Sequence, residues 1–240
     1  MPCVKFLGKN MKIVGTLICQ DGISEIRRCI ESVYPVVSDY YIIDGGSTDG
    51  TWEFLNKYKD VYNLSLFQYP YDEGGAQRNR LLGHVPKDVW VVNIDQDEAL
   101  NHAMQVELKY FISRIYPDLY IDIKRELPLS IHVPNLNLVQ DINHFDASNI
   151  SFFASKVFYN DRNLHFTQGY HCTVAYGADD IENVNVLDAP ETWAIYHYAY
   201  LNPDRYKNLK QDRALGKRDY VDSEWDLAKK NIQPILDRWI

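Results

Sequence analysis

Tyr40–Thr51 reads YYIIDGGSTDGT: a short apolar run ends on an aspartate and two glycines, and small hydroxyl and acidic residues follow. Tyr40–Ile43 suits a buried strand, because aromatic and β-branched side chains fill a pleated surface. Asp44-Gly45-Gly46 closes that strand. Thr48 or Asp49 can then cap a helix whose apolar stripe is Trp52, Leu55 and Tyr58. A strand that turns tightly into a capped helix is the repeating unit of an α/β fold.

The same unit recurs on both sides. Upstream, Lys12–Ile18 (KIVGTLI) suits a buried strand that ends at the turn residues Cys19-Gln20-Asp21-Gly22. Ser24 is placed to cap the next helix, Ile26, Cys29, Ile30 and Val33 repeat at helical spacing, and Pro35 stops it. Downstream, Leu64–Gln68 forms a third strand, and Gly74-Gly75 leads into a short helix carrying Gln77, Arg78 and Asn79, with Leu81 and Leu82 on its buried side. Val89–Ile94 (VWVVNI) is the fourth and most apolar strand, ending at Asp95-Gln96-Asp97-Glu98. Strands alternating with helices predict a doubly wound, mostly parallel sheet, in which ligands bind outside the carboxyl ends of the strands. Asp21, Asp44, Asp95 and Asp97 all fall on that edge.

Beyond residue 100 the pattern is less regular. Residues 101–116 predict an amphipathic helix through Met104, Leu108, Phe111 and Ile112. Leu119–Lys124 alternates like a strand, and Pro128–Asn149, interrupted by Pro and Asn, predicts a loop. Phe152–Phe158, Leu164–Thr167 and Trp193–Tyr198 predict strands, and the charged tail from Pro203 to Ile240 predicts helix. No internal repeat or linker divides the chain, so residues 1–240 are expected to form a single domain.

Composition narrows the function classes. With 33 Asp and Glu against 25 Lys and Arg the net charge is −8, which disfavours a surface built to track nucleic acid, since phosphate neutralisation calls for a basic excess. The four cysteines (Cys3, Cys19, Cys29, Cys172) form no CxxC pair, and Cys19 and Cys29 fall in apolar patterns, which predicts reduced thiols. Met1–Met11 lacks the apolar segment of a signal peptide, and no apolar run approaches the ~18 residues of a membrane span. The expected location is the cytoplasm.

Two carboxylates at i and i+2 after a strand, Asp95 and Asp97, can converge on one Mg²⁺ or Mn²⁺ and its bound phosphates, because hard oxygen ligands suit these ions. A carboxylate at Asp44 can accept from the donors of a nucleoside, and the adjoining glycines allow close backbone approach. Arg78 carries a planar donor fork suited to a diphosphate or to one of the strand-tip aspartates, and Asn79 is placed to tie down a loop.

Three stretches in order, IIDGGSTDGT at Ile42–Thr51, QRN at Gln77–Asn79 and WVVNIDQDE at Trp90–Glu98, resemble the nucleotide-binding half of family 2 glycosyltransferases. Fainter likeness continues at Lys156–Asn160 with Leu164-His165-Phe166 ahead of His171, and at Ile195–Tyr198 before Pro203-Asp204-Arg205-Tyr206. The resemblance implies a GT-A fold. Residues 1–100 would bind a nucleotide sugar, 101–200 would face the acceptor and 201–240 would form a helical tail. It implies a nucleoside diphosphate sugar donor, with a UDP-sugar favoured, an unidentified acceptor hydroxyl, an inverting displacement and Mn²⁺ or Mg²⁺ as cofactor. Asp21 and Asp44 would hold the base, with Gly45, Arg78 and Gln96 contributing to the nucleotide site. Asp95 would contact ribose or metal, and Asp97 would ligate the metal. His197 would reach the metal or diphosphate, or else be a core histidine.

Many relatives place an acid directly after the histidine that corresponds to His171, where this chain has Cys172. The general base is therefore left open between the Asp179, Asp180 and Glu182 group, slightly favoured, His171, and activation of the hydroxyl without a protein base close by. Two other functions fit the pattern: a nucleotidyltransferase of the same architecture, and a non-catalytic nucleotide-sugar-binding protein. A phosphatase or mutase does not, because its Asp-x-Asp pair follows the first strand.

Overall fold

The computed structural model describes residues 11–123, 129–160, 163–169, 172–177, 185–201 and 232–240. Its first half follows the predicted alternation: β1 (Ile13–Cys19), α1 (Ile26–Val33), β2 (Asp39–Asp44), α2 (Thr51–Lys57), β3 (Leu64–Gln68), α3 (Gly74–Leu82) and β4 (Val89–Asn93). Next come β5 (Glu98–Leu100), α4 (His102–Ile123), β6 (Leu129–Leu138), β7 (His144–Asn160) and β8 (Leu164–Phe166). The remaining strands are β9 (Val174–Tyr176), β10 (Asn185–Asp188), β11 (Ile195–His197) and β12 (Ile232–Pro234).

The main sheet runs β3-β2-β1-β4-β7-β6-β11-β5, with β10 on β6 and β12 on β7. The β1–β4 portion is parallel, and register sets Cys19 opposite Asp44 and Thr16 opposite Asn93, so these strands end along one edge. The antiparallel β4–β7 and β6–β7 pairs continue the sheet into the second half. This is the mixed, mostly parallel α/β sheet expected of a GT-A fold.

Side-chain alternation sorts the sheet into two faces. Ile13, Leu17, Trp90, Val92, Val157 and Tyr159 pack with Ile26, Cys29 and Ile30 of α1 and Met104, Leu108 and Ile112 of α4. Val14, Val91 and Phe158 face the opposite way onto Leu82, Leu164, Phe166 and Val174. A polar turn at the end of each strand therefore sits on a stem buried on both faces, and it cannot slip by one residue without inverting that stem. Cys19 and Cys29 are buried unbridged thiols, and burial pushes both thiols up, as the apolar reading expects.

The structure corrects several local expectations. Ser24 does not cap α1: the residue at the cap position is Glu25, whose side chain makes no capping bond to the helix, and the turn is closed by Glu25 and Ile26 amides donating to the Gly22 carbonyl at 2.9 Å each. At α2 the cap position is the left-handed Gly50, while Asp49 accepts from the Thr51 amide at 2.9 Å and the Ile23 amide at 2.9 Å, so it joins two loops. Leu119–Lys124 is not a strand. Helix α4 runs on through Ile123, past Pro117, whose missing N–H forfeits one bond without ending a helix already propagating.

Pro128–Asn149 is likewise not a loop; it contains β6 and the start of β7. Pro134 is tolerated in β6 beside a register shift between Ile131 and Val133, since a bulge relieves the ladder of a donor that proline lacks. Asn135 bonds the buried Glu98 on β5, and Asn137 bonds the half-buried His197 on β11. Of the tail, residues 202–231 lie outside the described residues. Ile232–Pro234 is a strand and Asp237–Trp239 a 3₁₀ turn, with the Trp239 carbonyl accepting from Asn101 Nδ2 at 3.0 Å.

Candidate active site

The loops after β1, β2 and β4 are stitched together by side chains that serve one another's backbones. Gln96 makes a two-way amide clamp on Gln20: the Gln20 amide donates to Gln96 Oε1 at 2.9 Å, and Gln96 Nε2 donates to the Gln20 carbonyl at 3.1 Å. Asp21, exposed and in the left-handed region (φ 48°), accepts from the Thr48 amide at 2.7 Å, while its own amide donates to Ser47 Oγ at 2.9 Å. Short polar side chains tolerate that conformation because they bond locally.

Asp44 is fully buried, and its oxygens accept from the Gly46 amide, the Ser47 amide and Gln68 Nε2, each at 3.0 Å, and from the Ser47 hydroxyl. A carboxylate with that many internal donors shapes its loop. The two glycines after it also differ. A Cβ on Gly45 would lie 3.0 Å from Tyr71 Cβ and 3.3 Å from Gln20 Cβ, so the space above Gly45 belongs to the protein. Gly46, at φ +94°, has open space where a Cβ would stand, and so is the glycine that leaves backbone bare.

At the end of β4 the two aspartates have separate partners. Asp95 is a third exposed, and its two oxygens face two cations: Arg78 Nη2 of α3 on one, and Lys156 Nζ of β7, at 3.1 Å, on the other. Lys156 also donates to Glu98 Oε2 at 2.6 Å, which accepts in addition from the Asp95 amide at 2.9 Å, and Asn135 Nδ2 donates to Glu98 Oε1 at 2.6 Å. Arg78 further donates to Cys172 Sγ at 3.3 Å. Burial alone would raise the Asp95 carboxyl, but the Arg78 and Lys156 charges hold it well below the usual carboxylate range. Burial opposes the charge on Lys156 as well, and Asp95 and Glu98 outweigh it. Burial pushes the Cys172 thiol up against the pull of Arg78.

Because the folded state lowers the Asp95 carboxyl, its contribution to stability is complete above the unfolded carboxylate range and is lost as pH falls. The stability difference between wild type and Asp95→Asn is therefore expected to be flat from about pH 5 to 8 and to narrow below about pH 4. Urea unfolding across that range checks it, and a gap that widens in acid would contradict the ion cluster.

Asp97 is buried, and its Oδ2 lies 3.1 Å from His197 Nε2 on β11, while His197 Nδ1 lies 2.7 Å from Asn137 Oδ1 on β6. The Tyr198 amide donates to the Asp97 carbonyl at 2.8 Å, which fixes the end of β11 against this loop. Among the described residues no three His, Cys, Asp or Glu side chains gather as a metal cluster. The Asp97–His197 pair nonetheless fits one edge of a divalent site, because neighbouring ligands ~2.1 Å from an octahedral ion stand ~3.0 Å apart.

The candidate bases Asp179, Asp180 and Glu182, and His171, lie outside the described residues. Asn79 ties down β8 as expected, with Nδ2 donating to the Phe166 carbonyl at 2.7 Å and the Phe166 amide donating to Oδ1 at 2.6 Å. Sequence reasoning missed Lys156, Glu98, Asn135 and Asn137 as parts of this site. The available signal was a lone lysine inside the apolar run Ser151–Tyr159, since a buried lysine calls for a paired acid. Among the described residues no helix is long and apolar enough to cross a membrane.

Comparison with known proteins bears on the family and the fold. Residues 17–116 match the model of Glycosyl transferase family 2. The lipopolysaccharide core biosynthesis glycosyltransferase LpsC of Rhizobium meliloti (strain 1021) is 32% identical over 89 residues, which are 37% of this chain and 33% of that protein. The chain thus spans about a third of the curated relative it matches. S. aureus TarS superposes with a TM-score of 0.50 at 17% identity, covering 90% of this chain and 42% of that one. TarS 1-349 in complex with UDP gives a TM-score of 0.50 at 17% identity, covering 90% of this chain and 69% of that one. At such identity the likeness to TarS speaks for the fold alone.

Proposed function

We propose that this chain, a family 2 glycosyltransferase by its match over residues 17–116, transfers a sugar from a nucleoside diphosphate sugar to an acceptor hydroxyl, with inversion and with the help of a divalent cation. The observation that carries the reading is the stitched rim: Asp21 and Thr48, Gln20 and Gln96, and Asp97 and His197 join the ends of β1, β2, β4 and β11 into one polar edge. A UDP-sugar is the donor proposed, UDP being the nucleotide held in the TarS 1-349 complex of the same fold.

In this reading Asp21 and the bare backbone at Gly46 face the nucleoside, and Asp44 and Gly45 build the turn that presents them. Arg78 faces the diphosphate side. Asp97 and His197 would hold Mn²⁺ or Mg²⁺, which when bound supplies Lewis-acid neutralisation of the departing diphosphate. The acceptor hydroxyl attacks the anomeric carbon from the face opposite the diphosphate, and a base drawn from Asp179, Asp180, Glu182 or His171 takes its proton. The proposed location is the cytoplasm.

A panel of nucleoside diphosphate sugars, each with and without Mn²⁺, tests the donor assignment by thermal melting. A specific donor at about 100 times its Kd should stabilise by ~2.7 kcal/mol, or about 5–10 °C for a chain of this size. The shift is expected for a UDP-sugar and to depend on Mn²⁺; no shift with any nucleotide would refute the assignment. Release of a nucleoside diphosphate, as opposed to pyrophosphate, separates glycosyl transfer from nucleotidyl transfer.

A further inference from the structure

We infer that Gln96, although it stands between the two acids after β4, is a positioning residue for the nucleoside: it acts through Gln20 on Asp21 and ties the loop after β4 to the base side of the site. The inference rests on the donor site proposed above and gives one of its residues a role. Gln96 spends both ends of its amide on a single residue, with the Gln20 amide donating to Oε1 at 2.9 Å and Nε2 donating to the Gln20 carbonyl at 3.1 Å. A carboxamide that holds both the N–H and the C=O of one residue fixes that stretch of backbone as a neighbouring strand would. Asp21 follows directly, in the left-handed region at φ 48°. Few conformations are open to a non-glycine residue there, so the backbone before Asp21 decides where its carboxylate stands. Its Oδ1 accepts from the Thr48 amide at 2.7 Å and from the Thr48 hydroxyl at 3.3 Å, which leaves Oδ2 of an exposed carboxylate for a nucleoside donor.

Gly22 supplies a second, independent observation. Its φ lies outside the left-handed region that calls for glycine. Its backbone bonds, the amide to Thr51 Oγ1 at 2.9 Å and the carbonyl from the Glu25 and Ile26 amides, are open to any residue with an N–H. What a side chain would meet there is Gln96: a Cβ on Gly22 would lie 2.6 Å from Oε1 and 2.7 Å from Cδ. The loop after β1 thus goes without a side chain at the point where the Gln96 amide is seated. Gln20 is exposed and Gln96 half-buried, so the clamp adds little to stability and its effect falls on the placing of Asp21.

The decisive probe is uridine 5′-monophosphate in the presence of a chelator, because it keeps the nucleoside and lacks the second phosphate that a cation would bridge. Calorimetry on the full chain reads its affinity, and a melting curve of each variant checks the fold. Gln96→Ala is expected to weaken the monophosphate by about three- to tenfold, the scale of one or two exposed hydrogen bonds, and to weaken UDP at saturating Mn²⁺ by the same factor. In an Asp21→Ala background the same change should cost less than about twofold more, since its effect passes through Asp21. Gly22→Ala, which displaces the amide and keeps the glutamine, should reproduce the loss and add nothing to Gln96→Ala. A loss with UDP and Mn²⁺ that is absent with the monophosphate would overturn the inference and leave the donor site standing, because Gln96 would then serve the diphosphate side. Factors that multiply in either double variant overturn it as well, as does wild-type affinity in Gly22→Ala. Wild type that binds neither nucleotide overturns the donor-site reading, and the inference with it.

Discussion

Asp97→Asn is expected to lower Mn²⁺-dependent release of nucleoside diphosphate by about a hundredfold or more, with the protein still folded. Asparagine keeps the size of the side chain and an oxygen toward His197 Nε2, and the bond from the Tyr198 amide to the residue 97 carbonyl is untouched. What disappears is the negative charge that would hold the cation at the end of β4. The unfolding free energy is expected to stay within about 1.5 kcal/mol of wild type, the scale of one altered hydrogen bond. Initial rates with a UDP-sugar and Mn²⁺, beside a urea titration of each protein, make the measurement. Activity near wild type would refute the assignment of Asp97, and a collapse of stability would turn the residue into a structural one.

Asp44→Ala is expected to act chiefly on stability, at a cost of ~2–4 kcal/mol. Removing the carboxylate strands the Gly46 and Ser47 amides, Gln68 Nε2 and the Ser47 hydroxyl. Gly46 is exposed, so water recovers part of that loss, which sets the cost below the sum of four separate bonds. The expected fall in melting temperature is about 5–15 °C. Nucleotide affinity should follow the disorder of the 45–50 turn. If the variant instead melts like wild type and loses affinity by ~1–3 kcal/mol, Asp44 touches the ligand directly, as its position at a strand tip first suggests.

These two aspartates show how unevenly the site is written into the sequence. The strands and helices through residue 93 were legible because each is fixed by neighbours within a few positions: apolar runs in β1 and β4, helical spacing from Ile26 to Val33, the glycine pair that opens α3. The same local logic misjudged β6, where Pro134, Asn135 and Asn137 resemble a loop until their partners are seen on β5, β7 and β11. It also misjudged the end of α4, where a six-residue alternation competes poorly with a helix already in progress.

By itself the sequence determined the succession of strands and helices through β4 and the placing of Asp21, Asp44, Asp95 and Asp97 at strand ends along one sheet edge, because periodicity and turn chemistry act over a few residues. Only the tertiary structure decided what each acid does there. Asp95 meets a lysine 61 positions away, Asp97 meets a histidine 100 positions away, and Asp44 closes on its own turn and on Gln68. A carboxylate's role depends on which donors and cations stand within ~3 Å of it once water is excluded, and folding sets that distance.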